Sequence, residues 1–278
     1  MLRVHGEGQL VDKTKIQGWR KIAAATWGPP NDPQIYGDLE IDAGAVLAFI
    51  DDAREATGVK LTVTHVVGKS VAHALGEHPD LNVRMYRGSF IRRETVDVFF
   101  IVSAERGAEL SGVKVVSADK KPVIEIAREL AARADRIRTG EDQELGKTKT
   151  MLARTPGRLL HTSLKLAAWL TADRDLDLKK QGLPRQAFGS VMVTSVGMFG
   201  IQHAYAPLSP FYRIPMLVLV GEVATKPAVV DGKIEPRPLL TLSATMDHRY
   251  LDGYHAARLA GSVREYLSDP KRFEPALT

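Results

Sequence analysis

Residues 239–253 read LLTLSATMDHRYLDG. The first seven of these residues form a strongly apolar run, which predicts a β-strand. His248 follows the run, Asp252 lies four residues further on, and Gly253 permits a tight turn into a helix. An imidazole titrates near neutral pH, so His248 is a candidate general base in a cleft. A single histidine at a strand end is also commonly an ordinary surface or core residue, so the motif needs support from the rest of the chain.

Five further segments accompany this motif in a fixed order along the chain. They are Gly58–Thr62, His78–Asn82, Val115–Ala127, Gly189–Gly200 and Pro215–Gly221. Together with Asp247–Gly253, they resemble the catalytic domain of the dihydrolipoamide acyltransferases of 2-oxoacid dehydrogenase complexes. The resemblance covers most of residues 15–140 and 187–275, and several ordered motifs are far more specific than the histidine motif alone.

The resemblance implies an α+β fold, the two-layer chloramphenicol acetyltransferase-like fold with a mixed central sheet. Residues 1–278 would then form a single acyltransferase catalytic domain. The family builds its active site at the interface of a trimer, with the histidine and a hydroxyl residue supplied by different subunits. We therefore expect a homotrimer with threefold symmetry, and its further assembly into a larger core stays open.

The same resemblance implies the site residues. His248 would take the proton from the thiol of coenzyme A or of a dihydrolipoyl group, and Thr194 occupies the position of the family's oxyanion-stabilising serine. Thr194 is alternatively an ordinary β-branched strand residue, and Ser195 is a weaker candidate hydroxyl. Asp252 would hold the backbone of the site through a buried ion pair, with Arg20 as its expected partner.

Composition limits the chemistry. The chain has 278 residues, 44% of them apolar, and no cysteine. Disulfides, thiolate metal sites and a cysteine acyl-enzyme are therefore excluded, so both thiols of an acyl transfer must belong to substrates. The resemblance further implies coenzyme A as a substrate and a lipoyl group supplied in trans, and no metal is expected. No apolar run approaches the ~20 residues of a membrane span, and the start lacks an apolar signal-peptide core, which favours a cytoplasmic protein.

The net charge of +5 indicates an ordinary basic surface, or a preference for acidic ligands such as coenzyme A or for an acidic partner domain. Nucleic-acid binding is not expected, because aromatic residues make up only 6% and basic residues alternate with acidic ones.

Hydrophobic spacing predicts helices over 43–56 and 63–75, a strand over 97–102, and a long amphipathic helix from Pro122 through Arg138. Strands and helices do not alternate regularly, which also favours the α+β class.

Two patterns that suggest other sites are rejected. The glycines of Gly140–Thr148 are spaced by five residues instead of the four of a phosphate-binding loop, and a predicted helix precedes them. His65, His73 and His78 suggest a metal cluster, but only the first two would share a helical face, two turns apart.

Residues 141–186 depart from the family and are interpreted as a helical insertion. Its apolar segment Arg158–Leu170 would pack as a lid on the core, cover an oligomer surface or dock a partner, and interfacial membrane contact is the less favoured alternative. The chain shows no lipoyl or subunit-binding domain, so it is interpreted as a free-standing catalytic domain. The altered tail, Asp269–Pro275, would block or redirect further assembly of trimers.

Three other functions remain open. The first is acyl transfer to a different acceptor, as in chloramphenicol acetyltransferase, although that family carries a second histidine where this chain has Asp247. The second is a non-catalytic scaffold for dehydrogenase components, whose function would survive loss of His248. The third, a peptide-synthetase condensation domain, is remote because one chain supplies only half of that fold.

Overall fold

The structure of the protein is a computed structural model that describes residues 33–86, 89–104, 109–138, 157–209 and 211–276. The described residues from Gln34 onward form one compact unit. Within the described residues, no helix is both long enough and apolar enough to cross a membrane.

The described residues form helices and strands in mixed order, as in an α+β protein. The helices are α1 Gly44–Thr57, α2 Val63–Glu77, α3 Val123–Arg138, α4 Gly157–Ala168, α5 Gly253–Ser268 and α6 Pro270–Phe273. The strands are β1 Gln34–Asp42, β2 Val83–Tyr86, β3 Ser89–Arg92, β4 Val98–Ala104, β5 Glu109–Val115, β6 Val191–Ser195, β7 Met216–Val220, β8 Ala224–Val230 and β9 Lys233–Asp247. A π-helix, Trp169–Asp173, continues α4.

A seven-stranded sheet is the centre of the fold. Its strands lie in the order β1-β9-β7-β6-β4-β5, and β8 forms a hairpin with the first part of β9. The β4–β6 and β6–β7 pairs are parallel, whereas the other pairs of this sheet are antiparallel. Strands β2 and β3 form a separate hairpin. The predicted α+β fold with a mixed central sheet is therefore confirmed.

The two faces of the sheet are covered differently, which determines where a site can open. On one face, alternate strand residues such as Val193, Val218 and Leu242 pack against α1, α2, α3 and α5 in the main core. On the other face, Met192, Leu217 and Leu219 form a smaller cluster that is covered by the chain between β6 and β7. A helical layer therefore covers one face of the sheet, and irregular chain covers the other.

The elements expected from hydrophobic spacing are confirmed, with boundaries that follow from local chemistry. Helix α1 buries Val46, Ile50 and Ala53 and ends at Gly58, whose φ of 67° is the left-handed conformation that glycine adopts without strain. Helix α3 begins at Val123 directly after Pro122, which lacks the N–H that a first turn leaves unpaired.

The C-terminal tail packs on the core of its own chain. Glu274, which is 9% exposed, accepts hydrogen bonds from the Val123 N–H at 2.7 Å and from the Tyr266 hydroxyl at 2.5 Å. A carboxylate at the N-terminus of α3 also interacts favourably with the helix dipole. The suggested effect of this tail on assembly stays a prediction.

Candidate functional site

His248 lies in the turn between β9 and α5, where it is exposed to solvent. Its Nδ1 is 2.8 Å from the Leu251 carbonyl oxygen. Because a carbonyl oxygen only accepts hydrogen bonds, Nδ1 must carry the hydrogen, which leaves the lone pair of Nε2 free in the neutral imidazole. The backbone of the turn therefore holds His248 in the tautomer that a general base requires.

Asp247 fixes the backbone on the N-terminal side of His248. Its N–H donates to the Pro215 carbonyl at 2.9 Å, and its own carbonyl accepts from the N–H groups of Tyr250 and Leu251. Its carboxylate, which is largely buried, accepts from the Arg249 N–H at 3.0 Å and pairs with the Arg249 guanidinium. Asp247 and Arg249, the two residues that flank His248, are thus held by hydrogen bonds of both backbone and side chain.

Tyr250 ties the turn to the β2–β3 hairpin, a contact that sequence reasoning missed. The Met85 N–H donates to the Tyr250 hydroxyl oxygen at 3.1 Å, and the rings of Tyr250 and Phe90 lie 5.7 Å apart. Burial raises the pKa of Tyr250, so the phenol remains neutral at physiological pH. In the sequence, an aromatic residue two positions after His248 was the one feature that could have suggested this contact.

Arg93 holds the hairpin to the chain that enters β7. It donates to the Val83 carbonyl at 3.3 Å, to the Arg213 carbonyl at 3.1 Å and to the Gln186 side chain. Burial lowers the pKa of Arg93 to about 10, so it stays charged. Arg213 lies two residues before Pro215, whose carbonyl binds Asp247, so this buried cation also supports the frame of the turn.

Asp252 is the N-cap of α5. Its carboxylate accepts from the His255 N–H at 3.1 Å and lies 2.8 Å from the His255 ring, and 52% of its side chain is exposed. These hydrogen bonds lower the pKa of Asp252, with the backbone bond to His255 as the largest cause. In the single chain the carboxylate is therefore a helix cap and is not buried. Its predicted partner Arg20 lies outside the described residues, so that ion pair stays a prediction.

Thr194 lies near the end of β6 and is half-buried, on the same face of the sheet as Met192. In the described part of the chain, no hydrogen bond fixes its hydroxyl. The next residue, Ser195, donates weakly to the Val220 carbonyl at 3.4 Å. The free hydroxyl of Thr194 is thus the better placed of the two to donate to a ligand.

A close backbone contact fixes the turn that follows Thr194. A Cβ atom at Gly197 would lie 2.5 Å from the Gly221 carbonyl oxygen, a separation that excludes any residue other than glycine without a backbone shift. The turn after β6 therefore rests directly on the end of β7. Beyond it, Met198, Phe199 and Ile201 are 64%, 54% and 42% exposed, which makes an apolar patch beside Thr194.

The structure does not bring His248 and Thr194 of one chain together. Thr194 is in register with Leu219 of β7, and Leu219 is in register with Ser243 of β9. His248 lies five residues beyond Ser243 and two strand spacings from β6. With ~3.3 Å per residue and ~4.8 Å between strands, their Cα atoms are about 20 Å apart. A small reacting group cannot contact both side chains within one chain.

The rejected patterns have structural roles or lie outside the described residues. Burial lowers the pKa of His65 to about 4, and its Nδ1 accepts from the Thr62 N–H at the start of α2. His78 contacts Arg258 and Ser262. Among the described residues, no three His, Cys, Asp or Glu side chains are grouped to hold a metal ion. Gly140–Thr148 lies outside the described residues.

The sequence matches the family model described as "2-oxoacid dehydrogenases acyltransferase (catalytic domain)" over residues 12–146 and 163–274. The unmatched stretch between them, residues 147–162, is shorter than the insertion predicted at 141–186.

Curated relatives are similar over most of this chain. A dihydrolipoyllysine-residue acetyltransferase component of the pyruvate dehydrogenase complex from Pseudomonas aeruginosa is 28% identical over 221 residues, which are 78% of this chain and 32% of the relative. A lipoamide acyltransferase component of the branched-chain alpha-keto acid dehydrogenase complex from Bacillus subtilis is 24% identical over 259 residues, 91% of this chain and 51% of the relative. The chain spans about half the length of such relatives.

Solved structures share the fold. A probable dihydrolipoamide acetyltransferase from Listeria monocytogenes superposes with a TM-score of 0.64 at 21% identity, over 96% of this chain and 97% of that chain. The dihydrolipoamide acetyltransferase of Azotobacter vinelandii, in a study of a serine, a histidine and an asparagine in its catalytic mechanism, gives 0.64 at 23% identity, over 96% and 95%. At these identities the likeness shows the fold alone.

Proposed function

Because the chain belongs to the family of 2-oxoacid dehydrogenase acyltransferase catalytic domains, we propose that it moves an acyl group between coenzyme A and a dihydrolipoyl-type thiol, with His248 as general base. The observation that carries this proposal is the hydrogen bond between His248 Nδ1 and the Leu251 carbonyl, which leaves Nε2 free to accept a proton. In the proposed complex, acyl-coenzyme A is one substrate and a lipoyl group carried by another protein is the other.

The proposed reaction needs only this chain's side chains and the two thiols. His248 Nε2 accepts the proton of the incoming thiol, and the resulting thiolate attacks the carbonyl carbon of the acyl thioester. The adduct carries an oxyanion, to which the Thr194 hydroxyl donates a hydrogen bond. When the adduct collapses, its bond to the departing sulfur breaks, and that sulfur takes the proton back from His248. Nothing is oxidised or reduced, and His248 returns to its neutral form.

We further propose that the site forms between copies of this chain in a homotrimer. The separation of about 20 Å between His248 and Thr194 within one chain supports this arrangement, because the two groups must approach one oxyanion to act together. The exposed patch of Met198, Phe199 and Ile201 beside Thr194 supports it as well, since a second copy would remove this apolar surface from water. Assembly beyond the trimer and a cytoplasmic location stay predictions from the sequence.

The proposed role of Asp252 is to set the position of the His248 turn at the start of α5. Its hydrogen bond to the His255 N–H caps the helix and holds the backbone that connects Leu251 to α5. The Leu251 carbonyl is the acceptor for His248, so displacement of this backbone would release the imidazole.

Acyl exchange between acetyl-coenzyme A and dihydrolipoamide tests the proposal, with wild type compared with His248→Ala. We expect exchange by the wild type and its loss in the variant, with unchanged circular dichroism. His203→Ala, the same change at an exposed histidine outside the turn, serves as control and should retain exchange.

Two alternative functions would be distinguished by the same assay. A folded wild-type protein without exchange would favour a different acceptor or a non-catalytic scaffold. The scaffold would keep its binding to dehydrogenase components after His248→Ala. The chloramphenicol acetyltransferase family has a second histidine at the position of Asp247. Here the buried carboxylate of Asp247 forms an ion pair with Arg249, which does not favour that kind of active site.

A further inference from the structure

Helix α4 and the π-helix after it carry large apolar side chains on their outer surface. Leu166 and Trp169 lie three positions apart and so share one face, and they are 54% and 41% exposed. Leu176 is 43% exposed, and its N–H donates to the Leu170 carbonyl at 3.0 Å, which keeps it at the end of the helix. We call Leu166, Trp169 and Leu176 the α4 patch.

The opposite face of this segment is attached to the protein. Ala168 and Thr171 are each 7% exposed, and the Arg84 guanidinium donates to the carbonyls of Ala172 and Asp173 at 3.2 Å and 3.0 Å. Arg84 of strand β2 therefore holds the π-helix that continues α4. The three side chains of the α4 patch are exposed, and the lid role of the insertion stays a prediction.

Charge is distributed unequally around the α4 patch. Asp173 pairs with Arg213, and Asp175 pairs with Arg84 and Arg185. The carboxylate of the exposed Asp177 accepts hydrogen bonds from the backbone N–H groups of Lys179 and Arg185. In the described part of the chain, the exposed cations Lys165, Arg174 and Lys180 have no carboxylate partner. Arg174 lies over the Trp169 ring, 5.4 Å from its centroid. The patch is thus an apolar surface bordered by three exposed cations and one exposed carboxylate, so positive charge predominates.

We propose that the α4 patch binds the surface of a membrane that contains anionic lipids. An interfacial helix inserts its Leu and Trp side chains at the boundary between headgroups and acyl chains, while flanking Lys and Arg interact with anionic headgroups. Three apolar side chains and three cations match that chemistry. The contact lies in the membrane plane and requires no helix that spans the bilayer.

Size favours lipid over a protein partner at this surface. Helix α4 has 12 residues and is ~18 Å long, and a stable protein interface buries ~1,200–2,000 Å². A bilayer adapts to a single short helix, because its headgroup region deforms around each side chain. The proposal does not depend on acyl transfer, since neither His248 nor Thr194 takes part.

Flotation with phosphatidylcholine vesicles, prepared with and without an equal share of phosphatidylglycerol, tests the proposal on the full chain. We expect flotation only with phosphatidylglycerol, reduced by added salt. The double variant Leu166→Asp, Trp169→Asp should lose at least tenfold in bound fraction, and Lys165→Gln, Arg174→Gln should weaken binding. Val229→Asp, at an apolar residue that is 75% exposed on β8, is the matched control and should bind as the wild type.

Circular dichroism and sedimentation velocity on each variant complete the test. The proposal is overturned if the wild type does not float with anionic vesicles, or if the folded patch variants float as well as the wild type. A lower mass of the folded double variant in solution would also overturn it, because the α4 patch would then be an interface between copies. Acyl exchange in solution should be equal in the wild type and the patch variants.

Discussion

Tyr250 and Met85 are joined by a hydrogen bond of 3.1 Å that ties the turn carrying His248 to the edge of the β2–β3 hairpin. The phenol is half-buried, and it is the only side-chain acceptor that this backbone N–H has within the described residues. The imidazole itself is exposed and is held through the turn, so its position depends on residues that touch no substrate.

Tyr250→Phe removes the acceptor of the Met85 N–H and keeps the ring that packs near Phe90. One hydrogen bond contributes ~1 kcal/mol, so we expect the free energy of unfolding to fall by about that amount. If the displaced turn also costs transition-state stabilisation, kcat for acyl exchange should fall up to about fivefold with little change in KM. Steady-state kinetics and urea denaturation measure both. An unchanged kcat in the destabilised variant would limit Tyr250 to a structural role.

Replacement of Thr194 tests its hydroxyl. Thr194→Val keeps the shape of the side chain and removes the donor, and we expect kcat for acyl exchange to fall about 100-fold, as for loss of a single oxyanion donor. Thr194→Ser keeps the donor and should remain within a few-fold of the wild type. Equal rates for the valine and serine variants would contradict the proposed role, and Ser195→Ala would then be the next variant to measure.

Mixing of two inactive variants tests whether the site is shared between chains. Trimers assembled from equal amounts of His248→Ala and Thr194→Val chains place an intact histidine next to an intact threonine at about a quarter of the interfaces. We therefore expect the co-expressed mixture to recover up to that fraction of wild-type exchange, although each variant alone is nearly inactive. A mixture no more active than its components would place both groups in one chain.

His65 should make stability fall in mild acid. Burial lowers its folded-state pKa to about 4, below the 6.5 of the unfolded chain. As pH falls below about 6.5, the unfolded state takes up the proton first, so folding loses ~1.4 kcal/mol per pH unit until the folded histidine protonates near 4. Urea denaturation at pH 7.5 and pH 5 measures this loss, which His65→Gln should reduce by about 2 kcal/mol.

Gln at position 65 retains an acceptor for the Thr62 N–H, so the start of α2 stays capped. The control is His255→Gln, which changes the equivalent cap position of α5 and should leave the low-pH loss in place. If His65→Gln loses as much stability between pH 7.5 and pH 5 as His255→Gln and the wild type do, the loss does not come from His65.

Two glycines on helices should respond in opposite directions to alanine. A Cβ at Gly68 would lie 2.2 Å from the ring of Phe100, which is 2% exposed in the core. Gly68→Ala should cost ~1–3 kcal/mol or more. At Gly261, on the exposed side of α5, nothing lies within 4 Å, so alanine should stabilise the helix by ~0.5–1 kcal/mol. Thermal denaturation measures the stability of both alanine variants. If Gly68→Ala were as stable as Gly261→Ala, the Phe100 ring would have moved to accept the new methyl group.

Much of the fold was predictable because it depends on local chemistry. The spacing of Val46, Ile50 and Ala53 predicts the buried face of α1, and the apolar run before His248 predicts a strand. The insertion shows the limit of this reasoning. The spacing of Arg158–Leu170 predicts a helix, but it does not show that Leu166 and Trp169 point away from the core.

The sequence by itself determined the family, the α+β class and the residue types at the proposed site. These properties are encoded in ordered motifs and in hydrophobic spacing along one chain. Only the tertiary structure decided the tautomer of His248, the exposed capping role of Asp252 and the support from Tyr250 and Arg93. It also decided the distance between His248 and Thr194. Each of these depends on strand register or on contacts between residues far apart in sequence, and a one-dimensional pattern does not specify them.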